Sequence, residues 1–261
     1  MPRSTLLKRI YTQRRRRKTA LTNPLHTSAI HVWHIHAVGE HLTPELHLTP
    51  EELARAKRFH DPQQGRQWRY FHCALRQVLA RYTDCASQPL RFGTIEQDKP
   101  VLLDFPELHF NLSHTASRAL LAVTRAAPVG IDIEQQRQLK DREAMIRRYF
   151  SVSEQEQLAA PQYAEKSVDK DQAFFRLWTR KEAIIKANGL GLGIALDSFD
   201  VPSEPIPTWR VCKLSSPANG KRHYRLQDVE VSRGYAAAIA LQSAKSALDA
   251  PVSVKHFNYS E

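Results

Sequence analysis

The chain has 261 residues, 42% hydrophobic and 25% charged, a composition that fits one large or two small globular domains and excludes a disordered or fibrous chain. No run approaches the ~20 apolar residues of a membrane span. Three cysteines, Cys73, Cys85 and Cys212, lack metal-ligand spacing and their odd number argues against a disulfide framework, which suits a cytoplasmic protein.

The net charge of +11 is unevenly placed: residues 1–20 hold eight Arg and Lys and no acid, leaving +3 for the other 241 residues. That block lies in a basic tail, residues 1–28, expected to be disordered and solvated. It has no apolar core of the signal-peptide kind. Residues 29–38 alternate and are in part β-branched, which predicts a first strand. Thr49-Pro50-Glu51-Glu52 predicts a helix start with a capping box and proline in the first turn, the helix running to about Phe59. A second helix is predicted over 63–82. Trp68, Phe71, Leu75, Val78, Leu79 and Tyr82 form its buried stripe, and Arg69, Arg76 and Arg81 its solvated face.

Residues 90–96 read as a short strand and Asp98-Lys99-Pro100 as a turn. Residues 108–113 and 119–124 form a hairpin linked through His114–Arg118, with Leu108, Phe110 and Leu112 inward. Ala127-Pro128 marks the seam between two halves, and Val129-Gly130-Ile131-Asp132-Ile133-Glu134 opens the second as a strand. A modest helix over 142–150 follows. Ser153-Glu154-Gln155-Glu156 reads as another capping box, 161–171 as a loop, and 173–187 as a helix ended by Asn188-Gly189. Strands are expected at 196–201, 208–214, 223–231 and 235–241. The resulting division is a tail (1–28), an N-terminal lobe (29–126), a C-terminal lobe (127–242) and a loosely held C-terminal tail (243–261).

Two places carry candidate chemistry. In the strand 129–134, Ile131 and Ile133 share one face and Asp132 and Glu134 the other, with Cα atoms of the two acids roughly 6.5–7 Å apart. They are either two solvated acids on an edge or a Mg²⁺ site, since neighbouring carboxylates repel unless a cation compensates. In the helix 173–187, Trp178, Glu182 and Lys186 are spaced by four and lie on one face. Glu182 and Lys186 are either a surface ion pair or a third carboxylate with a lysine for a phosphate. Ser113-His114 lacks a nucleophile elbow and adjacent strand side chains diverge, so it is not a hydrolytic pair. Glycines 189, 191 and 193 do not make a dinucleotide loop. His31, His34, His36, His41 and His47 match no metal motif and read as surface residues.

Taken together, residues 129–134 and Trp178-Thr179-Arg180-Lys181-Glu182-Ala183-Ile184-Ile185-Lys186 resemble the two signature motifs of 4′-phosphopantetheinyl transferases, in the long two-lobed class typified by the surfactin-synthetase activator. Lys99-Pro100, Asn111-Leu112-Ser113-His114 and Gly189-Leu190-Gly191-Leu192 resemble further motifs of that class, and the likeness spans roughly residues 30–241. The resemblance implies an α/β (α+β) fold of two pseudo-symmetric lobes, each a small sheet flanked by helices. It implies transfer of the phosphopantetheine arm of coenzyme A to a serine of an apo acyl or peptidyl carrier protein, releasing 3′,5′-ADP.

Under the resemblance, Asp132, Glu134 and Glu182 would hold Mg²⁺, or Mn²⁺ in its place, and Asp132 would thereby also meet the coenzyme. Lys186 would offset phosphate charge, Ser113 and His114 would contact the 3′-phosphate, and Lys99 and Arg55 would also contact the coenzyme. Glu182, Glu134 or a metal-bound water would take the serine proton. A monomer is expected, with no membrane or nucleic-acid partner. The carrier system, whether of fatty-acid, polyketide or nonribosomal-peptide synthesis, is left open. Two other readings are a nucleic-acid binder using the basic tail and a Mg²⁺-dependent nuclease or phosphatase using the same carboxylates.

Overall fold

The structure, a computed structural model, describes residues 25–37, 47–83, 90–95, 99–160, 167–189, 193–216 and 220–259. The basic block, His41, Cys85, Asp98 and Leu190-Gly191-Leu192 lie outside these residues. The elements in order are β1 (Ala29–His36), α1 (Pro50–Lys57), α2 (Pro62–Ala80), β2 (Phe92–Ile95), β3 (Lys99–Leu102), β4 (His109–Thr115), β5 (Arg118–Thr124) and β6 (Val129–Gln135). Then come α3 (Arg142–Tyr149), α4 (Val152–Ala159), α5 (Ser167–Asn188), β7 (Arg210–Ser216), β8 (Gly220–Asp228), β9 (Tyr235–Ser243) and β10 (Ser253–Asn258).

The result is a mixed α/β fold of small sheets flanked by helices. One four-stranded sheet has the order β10-β1-β5-β4 and the other β6-β9-β8-β7, with β2-β3 as a separate hairpin. The chain changes sheet between β5 and β6. Three apolar clusters explain the layering. The α2 stripe of Trp68, Phe71, Leu75, Val78, Leu79 and Tyr82 is buried, most of it against Trp33, Phe110, Leu121 and Val123 of the first sheet. The opposite face of that sheet, through Ile30, Val32, Leu120 and Ala122, meets Val129, Ile131, Ile133 and Ile239 of the second. The far face of the second sheet, through Ala236, Ala238 and Ala240, packs on Phe174, Leu177, Ala183 and Ile184 of α5. Both sheets are thus covered on both faces, and each such Ile, Leu or Phe contributes about 1.5–3 kcal/mol.

The capping box at α1 forms as expected: Thr49 N–H donates to Glu52 Oε2 at 2.8 Å and Glu52 N–H to Thr49 Oγ1 at 3.3 Å. Gly189 ends α5 with φ 82°, accessible to glycine without strain.

Several expectations are corrected. Lys99 and Pro100 begin β3 instead of a turn, because their pairing with Ile95 and Thr94 closes the hairpin. The second capping box is Ser151 with Glu154, not Ser153 with Glu156. Residues 167–171 are already helical, and 196–198 form a 3₁₀ turn, not a strand. Arg76 is buried, its guanidinium bonded to Glu52 and Leu90 O. His31 is fully buried because β1 is an interior strand covered on both faces, and its Nδ1 bonds Tyr82 Oη at 2.9 Å. The C-terminal segment is not a loose tail. β10 adds in parallel to the open edge of β1, and Tyr259 Oη donates to Gln77 Oε1 at 2.8 Å.

Candidate active site

The site forms where the edge strands of the two sheets, β4 and β6, run side by side beneath α5. Alternation along β6 sends Ile131 and Ile133 into the inter-sheet cluster, so Gly130 and Asp132 face α5. Gly130 permits the approach. A Cβ there would lie 2.1 Å from Ala183 O and 2.3 Å from Ala187 N of the helix. This contact sets Lys186 against the strand: its Nζ donates to Asp132 Oδ1 at 2.5 Å and to Ser113 Oγ at 3.1 Å. Ser113 Oγ in turn donates to Asp132 Oδ1 at 2.8 Å.

The other oxygen, Asp132 Oδ2, is buried with no hydrogen-bond partner. Glu134 accepts weakly from Thr115 Oγ1 at 3.4 Å and lies 3.6 Å from Arg137 Nη1. Burial and the charge of Asp132 raise Glu134 above the ordinary carboxylate range, against the opposing pull of Arg137 and Lys186. Burial also raises Glu182; Lys186 opposes that shift, while Asp132 and Glu134 reinforce it. The three acids therefore feel one another across the strand–helix contact.

The chemistry of these groups suits a hard divalent cation: all three are carboxylates, one buried oxygen lacks a partner, and mutual repulsion is only partly offset by Lys186 and Arg137. Among the described residues no three His, Cys, Asp or Glu side chains are drawn to metal-ligand spacing; Lys186 stands as the counter-charge on Asp132.

The other anticipated residues divide. Ser113 and His114 leave β4 on opposite sides. Ser113 joins the carboxylates, whereas His114 stacks on Phe71 of α2 with ring centroids 5.1 Å apart. That packing and the nearby Lys186 charge lower the His114 pKa. Arg55 lies over the Trp68 ring at 5.5 Å, and Trp68 stacks on His72 at 3.7 Å. Burial pushes His72 down to about 3, reinforced by the charges of His114, Arg55 and Arg76, so its ring is neutral near pH 7 and Arg55 of α1 is the fixed positive charge beside it.

Lys99 is placed differently. Its ammonium donates to Val129 O (3.2 Å), Lys186 O (2.6 Å) and Ala187 O (3.1 Å), capping the C-terminal end of α5, and burial pushes it down to about 8. Within the signature helix, Arg180 and Lys181 face inward and serve the fold: Arg180 binds both oxygens of Asp228, and Lys181 pairs with Glu154.

Sequence reasoning missed Thr115, Arg137 and His72. Thr115 had a usable signal, since it lies two positions beyond Ser113 and so on the same face of β4. His72 had a weaker one, four residues after Trp68. Arg137 had none beyond its spacing of three from Glu134.

Three mutually repelling acids, with Lys186 on one of them, thus lie at the joint of the two small sheets. Residues 128–240 match the 4′-phosphopantetheinyl transferase superfamily. The 4′-phosphopantetheinyl transferase HetI of Nostoc sp. is 35% identical over 178 residues, covering 64% of this chain and 73% of that protein. The 4′-phosphopantetheinyl transferase Sfp of Bacillus subtilis is 33% identical over 157 residues, 59% of this chain and 66% of that protein. The human L-aminoadipate-semialdehyde dehydrogenase-phosphopantetheinyl transferase is 23% identical over 210 residues, 75% and 67%. The chain belongs to the 4′-phosphopantetheinyl transferase family and is a transferase of this type.

Proposed function

We propose that the protein transfers the phosphopantetheine arm of coenzyme A to a serine of an apo carrier protein in a Mg²⁺-dependent reaction, releasing 3′,5′-ADP. The observation that carries this reading is the set of three mutually repelling acids, Asp132, Glu134 and Glu182, with Lys186 on Asp132 and the other Asp132 oxygen buried without a partner. Asp132, Glu134 and Glu182 would hold Mg²⁺, or Mn²⁺ in its place. A divalent cation so bound neutralises charge developing on a pyrophosphate during cleavage. Lys186 supplies positive charge to the same phosphates once it leaves Asp132. His114 of β4 and Arg55 of α1 meet the remaining phosphate of the coenzyme, with Arg55 supplying the positive charge. Ser113 holds Asp132 and Lys186 in place, and Lys99 fixes the helix end that bears Lys186.

Glu182, Glu134 or a water beside the cation would take the serine proton. The serine oxygen bonds to the pantetheine-side phosphorus as the bond to the bridging oxygen breaks. The two lobes, 29–126 and 127–242, each contribute to the site, so a monomer suffices. No helix among the described residues is long and apolar enough to cross a membrane.

The test is incubation with coenzyme A, Mg²⁺ and a panel of apo carriers from fatty-acid, polyketide and nonribosomal-peptide systems, read by intact mass. A gain of one phosphopantetheine on a carrier supports the proposal and identifies the carrier class. Hydrolysis of nucleotide with no carrier gaining mass overturns it in favour of a hydrolase.

A further inference from the structure

Three side chains of β4 reach the backbone of β6 at a two-residue period. Ile131 N–H donates to Asn111 Oδ1 at 2.8 Å, Ile133 N–H to Ser113 Oγ at 3.4 Å and Gln135 N–H to Thr115 Oγ1 at 3.4 Å. β4 and β6 belong to different sheets, and no backbone ladder joins them. Side chains stand in for the ladder along a parallel register.

The two hydroxyls do something the amide does not. Ser113 accepts from the N–H that follows Asp132 and donates to Asp132; Thr115 accepts from the N–H that follows Glu134 and donates to Glu134. The same device is built twice, one pleat apart. Asn111 faces Gly130, where there is no acid to hold.

Glu134 has competing claims on it. Asp132 repels it, and Arg137 lies 3.6 Å from the same Oε2 that Thr115 reaches, on a side chain that is 58% exposed. Without a tie to β4, both influences favour swinging Glu134 away from Asp132 toward Arg137 and solvent. A hydroxyl anchored to the adjacent backbone N–H is well suited to oppose this, because its own rotamer is held by the bond it accepts.

We propose that Thr115 is a positioning residue for Glu134: its hydroxyl, carried by the first lobe, holds the Glu134 carboxylate beside Asp132 in the second and so sets the cation affinity of the pair. The inference rests on the reading that Glu134 helps hold a divalent cation. Residues that orient metal-binding side chains change metal affinity by about 10–100-fold when removed. Ser113 is a poorer place to test the device, since it also touches Lys186.

The experiment measures Mn²⁺ binding, by titration calorimetry and by the electron paramagnetic resonance of free Mn²⁺, to the full chain with and without coenzyme A. Thr115→Val keeps the shape and removes the hydroxyl; it is expected to weaken Mn²⁺ binding about 10-fold with the thermal midpoint nearly unchanged. Thr115→Ser is expected to restore binding, and Arg137→Ala in the Thr115→Val background to recover part of the loss by removing the competitor. Wild-type affinity in Thr115→Val, alongside weakened binding in Glu134→Ala, overturns the positioning role and leaves the cation reading standing. Undiminished binding in Glu134→Ala, or no binding by the wild type under either condition, overturns the cation reading and this inference with it.

Discussion

Two of the lysines of helix α5, Lys181 and Lys186, stand five positions apart, each against a carboxylate from another element, and the two pairs differ in burial and in how fully their charges are partnered. Lys181 and Glu154 are both fully buried and 2.8 Å apart. Lys181 also donates to Leu196 O and Phe199 O, and Glu154 also accepts from Ser151 N–H and Val201 N–H, so the partners of both charges are supplied by the surrounding fold. Lys186 and Asp132 are 2.5 Å apart, yet Asp132 Oδ2 is left buried without a partner and two further acids crowd the pair. Equivalent chemistry therefore gives two outcomes. A saturated pair ties α4 and the segment around 196–201 to α5. The unsaturated pair leaves a buried carboxylate oxygen open, which the proposed cation would fill.

Breaking the saturated pair should have the largest effect. Lys181→Ala leaves Glu154 as an uncompensated buried charge and is expected to cost about 3–5 kcal/mol of stability, read as a lowered urea midpoint, with transfer per folded molecule unchanged. An unmoved midpoint would erase the distinction between the pairs. Asp132→Ala reverses the pattern. Loss of cation-based stabilisation, several kcal/mol in the transition state, should slow carrier modification by roughly 100-fold or more. The unfolding midpoint should stay within about 1 kcal/mol, because a crowded acid has been removed. Near-normal turnover at ordinary Mg²⁺ would show that the unsaturated pair is not the reacting one.

The smallest effect separates both pairs from the acid sensitivity of the fold. Burial lowers the His31 pKa from 6.5 to about 4, with smaller contributions from Lys255 and His26, and the ring faces Tyr82 and Phe257. Because the folded value lies below the unfolded one, the unfolded chain binds the proton first. Stability from this group is complete well above pH 6.5 and is lost as the pH falls toward 4, about 2 kcal/mol of it by pH 5. Urea midpoints between pH 7 and 5 should fall for the wild type and fall less for His31→Gln. Equal slopes would remove His31 as the source.

The amphipathic stripe of α2, the α1 capping box and the β4–β5 hairpin were legible because each depends on neighbours within a few residues. The second capping box shows where such reasoning stops. Both Ser151 and Ser153 have a glutamate three residues on, and local chemistry cannot rank them. Tertiary demand ranks them: Glu154 is the acid that Lys181 and Val201 N–H require. Residues 196–201 fail as a strand for a related reason, since Leu196 O and Phe199 O turn inward to the Lys181 ammonium. β10 was illegible because its partner, the open edge of β1, lies more than 200 residues earlier in the chain. The candidate site divides the same way. The face shared by Asp132 and Glu134 follows from the strand period, and the face shared by Glu182 and Lys186 from the helix period, but Thr115 and Arg137 acquire meaning only beside Glu134.

What the sequence determined by itself was periodicity: which side chains leave a strand or helix together, and hence that two acids and an acid–lysine pair were each presented as a set. Only the tertiary structure decided what those sets face. The absence of a Cβ at Gly130 lets β6 close on α5 and brings Lys186 to Asp132, while the edge-to-edge meeting of β4 and β6 sets Ser113 and Thr115 against the two acids. The same packing turned Lys99 to the end of α5 and Lys181 into the core. Spacing along the chain sets direction, but opposition across a contact depends on how closely two backbones can approach, and that is fixed by packing.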